Sequence, residues 1–368
     1  MTYNWQLPDW PRFTYDISEA QPAIIDFARE IGEVDGFLEG LPDNLKQETL
    51  VQIMLAEAVK TSEIEGEYVS RQDVMSSLRN NLGLNDTPVV VKDRRAAGVA
   101  RLMVEIRKTF REDLTLETLQ SWHRLLLPHT NLIRVGEWRE GEAPMQIVSG
   151  SYGREIVHYE APPSARVPDE MESFVTWYNS ATFPLKGRVP EAVLKSAIAH
   201  LYFESIHPFE DGNGRIGRAI AETALSQSLD RPVMLSLSKT IEANKRAYYD
   251  ALKEAQRTLD ITAWIVYFAS VVLDAQRDAK ATVQFTLKKA RFFDQHKNRL
   301  AERQLKAIDK MLEKGVDGFE GGMTAKKYMG ITGASKATAT RDLQQLNEAG
   351  ILIREGAGRS VHYSLNLK

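Results

Sequence analysis

The 368-residue sequence contains no cysteine. That absence excludes a disulfide framework, thiolate zinc sites and a cysteine nucleophile. Long apolar runs are missing too. The longest, residues 261–273, is closed off by Asp260 and Asp274. A membrane-spanning helix needs about 20 apolar residues, so no span is expected. The opening MTYNWQLPDW has neither a basic nor an apolar leader region, so no secretory signal is expected and the cytoplasm is the expected location. Neither sign of charge dominates, because 47 Lys and Arg face 50 Asp and Glu, a formal net charge of −3. A uniformly basic nucleic-acid coat is therefore excluded, while local patches are not. What remains is an ordinary globular composition, 43% hydrophobic and 26% charged, which excludes wholesale disorder. The length suggests two or three domains.

Helical periodicity dominates. It predicts helices over 18–39, 44–66, 92–110, 115–127, 168–179, 190–204, 215–228, 241–255 and 261–292. The exception lies within 134–165, where β-prone runs 146–148 and 155–159 flank a Gly- and Ser-rich turn and read as a hairpin. Composition shifts near residue 280. Residues 280–368 hold 17 Lys and Arg against 9 Asp and Glu, whereas the first 279 hold 30 against 41. This basic tail reads as a helix at about 300–314, a short helix, a longer helix and two strands around 356–358. Ser335 is placed to cap the longer helix and Gly350 to stop it. That order matches a winged helix-turn-helix beginning near 298. The expected organisation is mainly α. An N-terminal helical region (1–90) carries into a helical core (91–280), then a linker helix (281–297) and the winged helix (298–368).

Residues 207–218, HPFEDGNGRIGR, carry the chemistry. His207 arrives at the end of one helix and Pro208 breaks it. Gly212, Asn213 and Gly214 form a turn whose backbone amides can converge on an oxyanion. The next helix then directs its N-terminal amides and dipole at the same point. Arg215 and Arg218 share a face of that helix, and two guanidiniums so placed suit a polyphosphate. Asp211 is a hard carboxylate suited to a Mg²⁺ that bridges phosphates. His207 is a base at the edge of the cradle. The set suits phosphoryl or nucleotidyl transfer, which needs mainly positioning and charge stabilisation. It is not a GxxxxGK[ST] phosphate loop, since no Lys-Ser/Thr follows the glycines.

The segment resembles the signature of the Fic family, HxFx[D/E]GNGRxxR, at every defined position, over an expected core of about 90–275. The resemblance implies a helical-bundle core with a small β-hairpin flap. It implies transfer of AMP from ATP to a Ser, Thr or Tyr hydroxyl of a protein, including self-modification. His207 would take the hydroxyl proton and Asp211 would bind Mg²⁺. Gly212, Asn213 and Gly214 would hold the α- and β-phosphates, Arg215 the β side and Arg218 the γ-phosphate. Phe209 would pack the loop into the core. Gly214 stands where the kinase branch of the family carries a basic residue, which favours nucleotidyl transfer over phosphorylation. Asn244, Tyr248 and Tyr249 fall where relatives line an adenine pocket, although an amphipathic helix packing on the core explains the tyrosines equally well.

Within this frame TSEIEG, residues 61–66, resembles the family's inhibitory pattern [S/T]xxxE[G/N] at Thr61, Glu65 and Gly66. The implied pairing of Glu65 with Arg218 would remove the arginine that orients the γ-phosphate. In some relatives the same glutamate serves removal of AMP, so AMP transfer and AMP removal both stay open. So do transfer of another nucleotide and a nucleotide-sensing winged-helix regulator without catalysis. The hairpin at about 145–158 falls where the family carries a flap that receives the target segment. The aromatic opening with Trp5 and Trp10 resembles an extension found on some family members and reads as an anchor on the core. His123, His129, His158 and His200 lack ligand spacing and read as structural, with His200 near enough to support the loop. In the tail, Lys336 and Arg341 on the recognition helix and Arg354 and Arg359 on the wing point to DNA. Asp342 and Glu348 on the same helix point instead to a protein-interaction or homodimerisation module.

Overall fold

The computed structural model describes residues 2–128, 133–149, 156–313 and 315–367. The chain divides into two compact units. One comprises Met1–Glu33 and Leu50–Ala279, the other Val34–Thr49 and Lys280–Lys368.

The first unit is helical. Helices α1 (Gln21–Glu39) and α2 (Asp43–Ile64) are followed by α3 (Arg71–Asn81), α4 (Arg94–Thr109) and α5 (Leu116–Leu126). A hairpin of β1 (Gln146–Ser149) and β2 (Ile156–Glu160) precedes α6 (Val167–Ser180), α7 (Arg188–Ile206) and α8 (Asn213–Ser228). Then come α9 (Leu237–Ala243), α10 (Lys245–Ala255) and α11 (Thr262–His296). Helix α7 is the spine. Its residues are apolar or small all round and almost every one from Ala192 to Ile206 is buried, the pattern of a helix enclosed on every side. One apolar cluster unites its Leu194, Ile198 and Leu201 with Phe27 of α1, Leu252 of α10 and Trp264 and Phe268 of α11. The other unites its Tyr202, Phe203 and Ile206 with α2, α4, α5, α6 and α8. The segment that leaves the end of α7 is thereby fixed between two packed cores.

The N-terminal aromatics are anchors. Trp5 donates to the Glu160 carbonyl and Trp10 to the Glu170 carboxylate, each at 2.8 Å. Asn4 donates to Ser205 at 2.9 Å, and the Tyr159 hydroxyl to the Ser205 carbonyl at 2.6 Å. The hairpin is antiparallel, pairing Ile147 with Tyr159 and Val148 with Val157, with a register shift between. The turn that joins its strands, residues 150–155, and His129 lie outside the described residues.

The second unit has α12 (Glu302–Leu312), α13 (Ala325–Thr332) and α14 (Lys336–Glu348), then β3 (Leu352–Glu355) and β4 (His362–Leu365). Ser335 caps α14 by accepting the Thr338 amide, and Gly350 follows it at φ 70°. The core is Ile308, Met311, Tyr328, Leu343, Leu346 and Tyr363. Asp342 of α14 points inward. It pairs with Arg303 at 2.5 Å and accepts the Tyr328 hydroxyl at 2.9 Å. Lys336, Arg341 and Arg354 are exposed. The side chain of Arg359 lies outside the described residues.

Three readings of the sequence shift. The periodicity misses α3, whose composition is polar, although Ser70 caps it through the Asp73 amide and forms the Ser-x-x-Asp signature of a helix start. The helix expected over 241–255 is two. Asn244, at φ −138° and ψ 56°, breaks it and caps α10 with its own side chain. Helix α11 runs unbroken through the expected linker. From Lys280 onward it groups with the tail and with Val34–Thr49, where Val283 packs on Val34 and Leu41.

No helix among the described residues is long and apolar enough to cross a membrane.

Burial raises the hydroxyl pKa of Tyr159, Tyr178, Tyr202 and Tyr248. An unfolded tyrosine ionises near ~10, so above that pH the folded state holds more protons than the unfolded one and stability falls as pH rises. The thermal midpoint is expected to drop above about pH 10. Tyrosinate absorbance from these residues should appear together with unfolding, and ionisation well before the loss of helical circular dichroism would contradict it.

Candidate active site

Helix α7 ends at Ile206, and His207 follows in the left-handed region at φ 51° and ψ 60°. A non-glycine residue there is strained by about 1–3 kcal/mol and needs surroundings that impose it. Arg139 imposes it. Its guanidinium is buried and donates to the carbonyls of His207 (2.8 Å), Ile206 (3.3 Å) and Pro162 (2.6 Å) and to Ser164 Oγ (2.9 Å). Its own amide donates to the Pro208 carbonyl at 2.9 Å. Phe209 is fully buried and stacks on His123 with 4.0 Å between ring centroids. His123 accepts the Gly136 amide at Nδ1 (2.8 Å), so its Nε2 carries the proton and donates to the Asp211 carbonyl at 3.0 Å. The Asn213 side chain closes the loop by accepting the Phe209 amide and donating to the Phe209 carbonyl.

The loop passes through Gly212 at φ 82° into α8. Ile216 donates to Gly212, so the amides of Asn213, Gly214 and Arg215 precede the first intrahelical bond and are the open donors of a helix N-terminus. Arg215 rises from that first turn and Arg218 from the second, and they are only 2% and 1% exposed. Arg218 donates to Thr61 Oγ1 (2.9 Å), the Thr61 carbonyl (3.0 Å) and Glu65 Oε1 (2.8 Å). Burial alone would depress its pKa, and Glu65 together with Tyr248 and Glu204 more than reverses that. The same carboxylate lies so near Gly214 that a Cβ there would overlap it. The anion cradle already holds an anion, and it is Glu65.

A second pair stands beside the first. Arg215 meets Glu67 at 2.6 Å and Asp211 at 3.3 Å. Both glutamates come from one turn. Helix α2 stops at Ile64, and Gly66 at φ 78° lets the Glu67 amide return to the Ser62 carbonyl at 2.9 Å, a glycine C-terminal stop. Lys245, at the start of α10, donates to the Ile64 carbonyl. Arg215 Nε and Arg218 Nη1 are buried without a partner.

His207 is held neutral. Burial first, and Arg139 second, pull its pKa down to about 4. Its Nδ1 lies 3.7 Å from Glu204 Oε2. Burial pushes Glu204 up to about 8, helped by Glu65 and opposed by Arg218. Asp211 keeps its side chain half-exposed (53%) at the mouth of the loop. Among the described residues no group of three or more His, Asp or Glu side chains is arranged around a metal. A single carboxylate still fits Mg²⁺, which takes one or two carboxylates and completes its shell with phosphate and water. The unpartnered guanidinium nitrogens and open amides likewise fit a polyphosphate.

The expected adenine residues separate. Tyr248 faces the core, where its hydroxyl and His200 Nε2 are 2.8 Å apart. The Asn244 side chain is occupied as a cap. Tyr249 is 39% exposed with Lys245 over its ring. Arg139, His123, Glu67 and Glu204 do not stand out in the sequence as site residues. The one available signal is that His200 and Glu204, four residues apart, fall on one face of α7.

Two family models match the chain, a domain of unknown function (DUF4172) over residues 3–84 and the Fic/DOC family over residues 113–225. A protein adenylyltransferase Fic of Aedes aegypti is 27% identical over 221 residues, which are 55% of this chain and 40% of that protein. A probable protein adenylyltransferase of Aquifex aeolicus is 33% identical over 98 residues, 27% of each chain. The chain thus spans less than half the length of these curated relatives. The crystal structure of a Fic family protein from Desulfovibrio desulfuricans superposes with a TM-score of 0.54 at 22% identity, over 97% of this chain and 98% of that one, a likeness of fold. The signature residues gathered on one loop and helix lie within residues 113–225, the segment that matches the Fic/DOC family.

Proposed function

We propose that the chain is a protein adenylyltransferase that moves AMP from ATP to a Ser, Thr or Tyr hydroxyl and is restrained by Glu65. One observation carries this reading: two buried arginines and the open amides of α8 converge on a cradle beside a neutral histidine, and the cradle is filled by a side-chain carboxylate. The amides of Asn213, Gly214 and Arg215, to which Gly212 turns the loop, bind and orient the triphosphate with the Arg215 and Arg218 side chains. His207 accepts the proton of the target hydroxyl as its oxygen bonds to the α-phosphorus and pyrophosphate departs, a general-base role typically worth ~10²–10⁴ in rate. Asp211 would hold a Mg²⁺, whose charge would offset that of the phosphates. Tyr249 is the ring on which adenine stacks, and Tyr248 supports it from the core.

Glu65 keeps Arg218 from the γ-phosphate, and Glu67 holds Arg215 in the same way. The target segment pairs with the edge of the β1–β2 hairpin, whose Val148, Ile156 and Val157 are exposed. The second unit acts as a winged helix for DNA. The inward turn of Asp342 supports this, because it removes an acid from the face that carries Lys336 and Arg341.

Intact-mass spectrometry after incubation with ATP and Mg²⁺ tests the reading. Glu65→Gly is expected to raise AMP incorporation, self-modification included, at least tenfold, about 1.4 kcal/mol. Glu67→Gln should raise it less, and the double variant most. No gain in Glu65→Gly at any ATP concentration would refute the restraint. His207→Ala in the Glu65→Gly chain should lose transfer by about 10²-fold or more while still binding ATP in calorimetry. Equal transfer would remove His207 as the base. In a mobility-shift titration the full chain should retard duplex DNA at low salt and release it as salt rises, and no retardation at low salt would dispose of the DNA reading.

A further inference from the structure

Glu204 is a buried carboxyl that the reaction above leaves unused. It stands on α7 one turn before His207 and is 4% exposed. Its Oε2 is 3.7 Å from His207 Nδ1, and both that nitrogen and Glu204 Oε1 lack a hydrogen-bond partner. A buried polar atom without a partner is costly, so an unpartnered Nδ1 whose neighbour is a buried carboxyl calls for an account. The packing that holds Glu204 is equally specific. A Cβ on Gly217 would overlap Oε1, so the Glu204 carboxyl fills the space that the missing side chain leaves.

The chemistry of imidazole supplies the account. A neutral ring has one N–H and one lone-pair nitrogen, and what faces one nitrogen decides the state of the other. A general base must turn its lone pair to the substrate, so its proton must be held on the far side. Nδ1 is the nitrogen that faces Glu204.

We propose that Glu204 is a positioning residue for His207, its carboxyl group receiving the Nδ1 proton so that Nε2 is the lone-pair nitrogen presented to the acceptor hydroxyl. The inference rests on the transfer reading and adds a second member to its base. Hydrogen bonds of this kind are often long before substrate binds and tighten in the complex. The surroundings link the pair to the restraint. Glu65 is one cause that holds Glu204 in its protonated form, and Arg218 opposes it. Once Glu65 leaves, Arg218 remains as the neighbouring charge and favours the Glu204 carboxylate. Tyr248 and Tyr249 complete the groups that feel this carboxyl.

The test uses the full chain in the Glu65→Gly background. Glu204→Gln keeps the shape and removes the carboxylate, the kind of change that leaves a histidine in the wrong tautomer. The expected result is a fall in kcat of about 10²-fold with KM for ATP within about twofold. In ¹⁵N spectra of the histidine side chains, His207 should move from the Nδ1–H form to the Nε2–H form. Glu204→Asp should recover part of the rate. A kcat within about fivefold of the parent, or an unchanged His207 tautomer, overturns the proposal. If the parent itself transfers no AMP, the transfer reading fails. The tautomer of His207 with and without Glu204→Gln then still decides the positioning role.

Discussion

A guanidinium taken out of water must be given an anion, and the first unit is organised by that requirement. Arg218 is 1% exposed and Arg215 2%. Leaving such a charge unpaired costs several kcal/mol, far more than a surface pair returns. Arg215 lies in the first turn of α8, where the backbone itself favours negative charge, and Arg218 follows on the same face in the second. The site therefore needs an anion at all times. In this structure the end of α2 supplies two, Glu65 and Glu67. Any other anion that entered would have to displace them, because the donors that grip the end of α2 are the cradle's own.

Much of this was legible in the sequence, and the reason is contiguity. His207, Asp211, Gly212, Arg215 and Arg218 lie in one run, so their spacing around a helix start already implies a shared anion site. The long helices were legible because apolar residues recur on one face. What stayed hidden comes from elsewhere in the chain. Arg139 reaches four acceptors around the loop from a segment with no periodicity, and His123 holds Asp211 from α5. Nothing in either stretch marks such reach. Helix α3 was missed because polar helices carry no hydrophobic signal, and only its cap betrays it. The break at Asn244 was missed because its cap replaces the bonds the break removes.

Tyr248 shows how periodicity and function compete for the same residue. Adjacent tyrosines on a helix point about 100° apart, so one faces the core when the other faces out. Tyr248 took the core and met His200, while Tyr249 kept an exposed ring. Helix α14 of the second unit makes the converse point. An acidic residue there reads against DNA until its direction is known, and Asp342 points at Arg303 and Tyr328.

The anchoring of the hairpin has a consequence for selectivity. Strand β2 is pinned at Tyr159 to the Ser205 carbonyl, two residues before His207, and at Glu160 to Trp5. The strand edge and the histidine therefore share one fixed origin. A peptide paired along that edge keeps the same face only when it slips by two residues, or about 7 Å. Under the proposed function, hydroxyls one residue off register would face away, and those two residues off would fall short of or overshoot His207. The hairpin would then serve as a graduated rule whose zero mark is set on α7, selecting an acceptor by its place in a strand before any side chain is read.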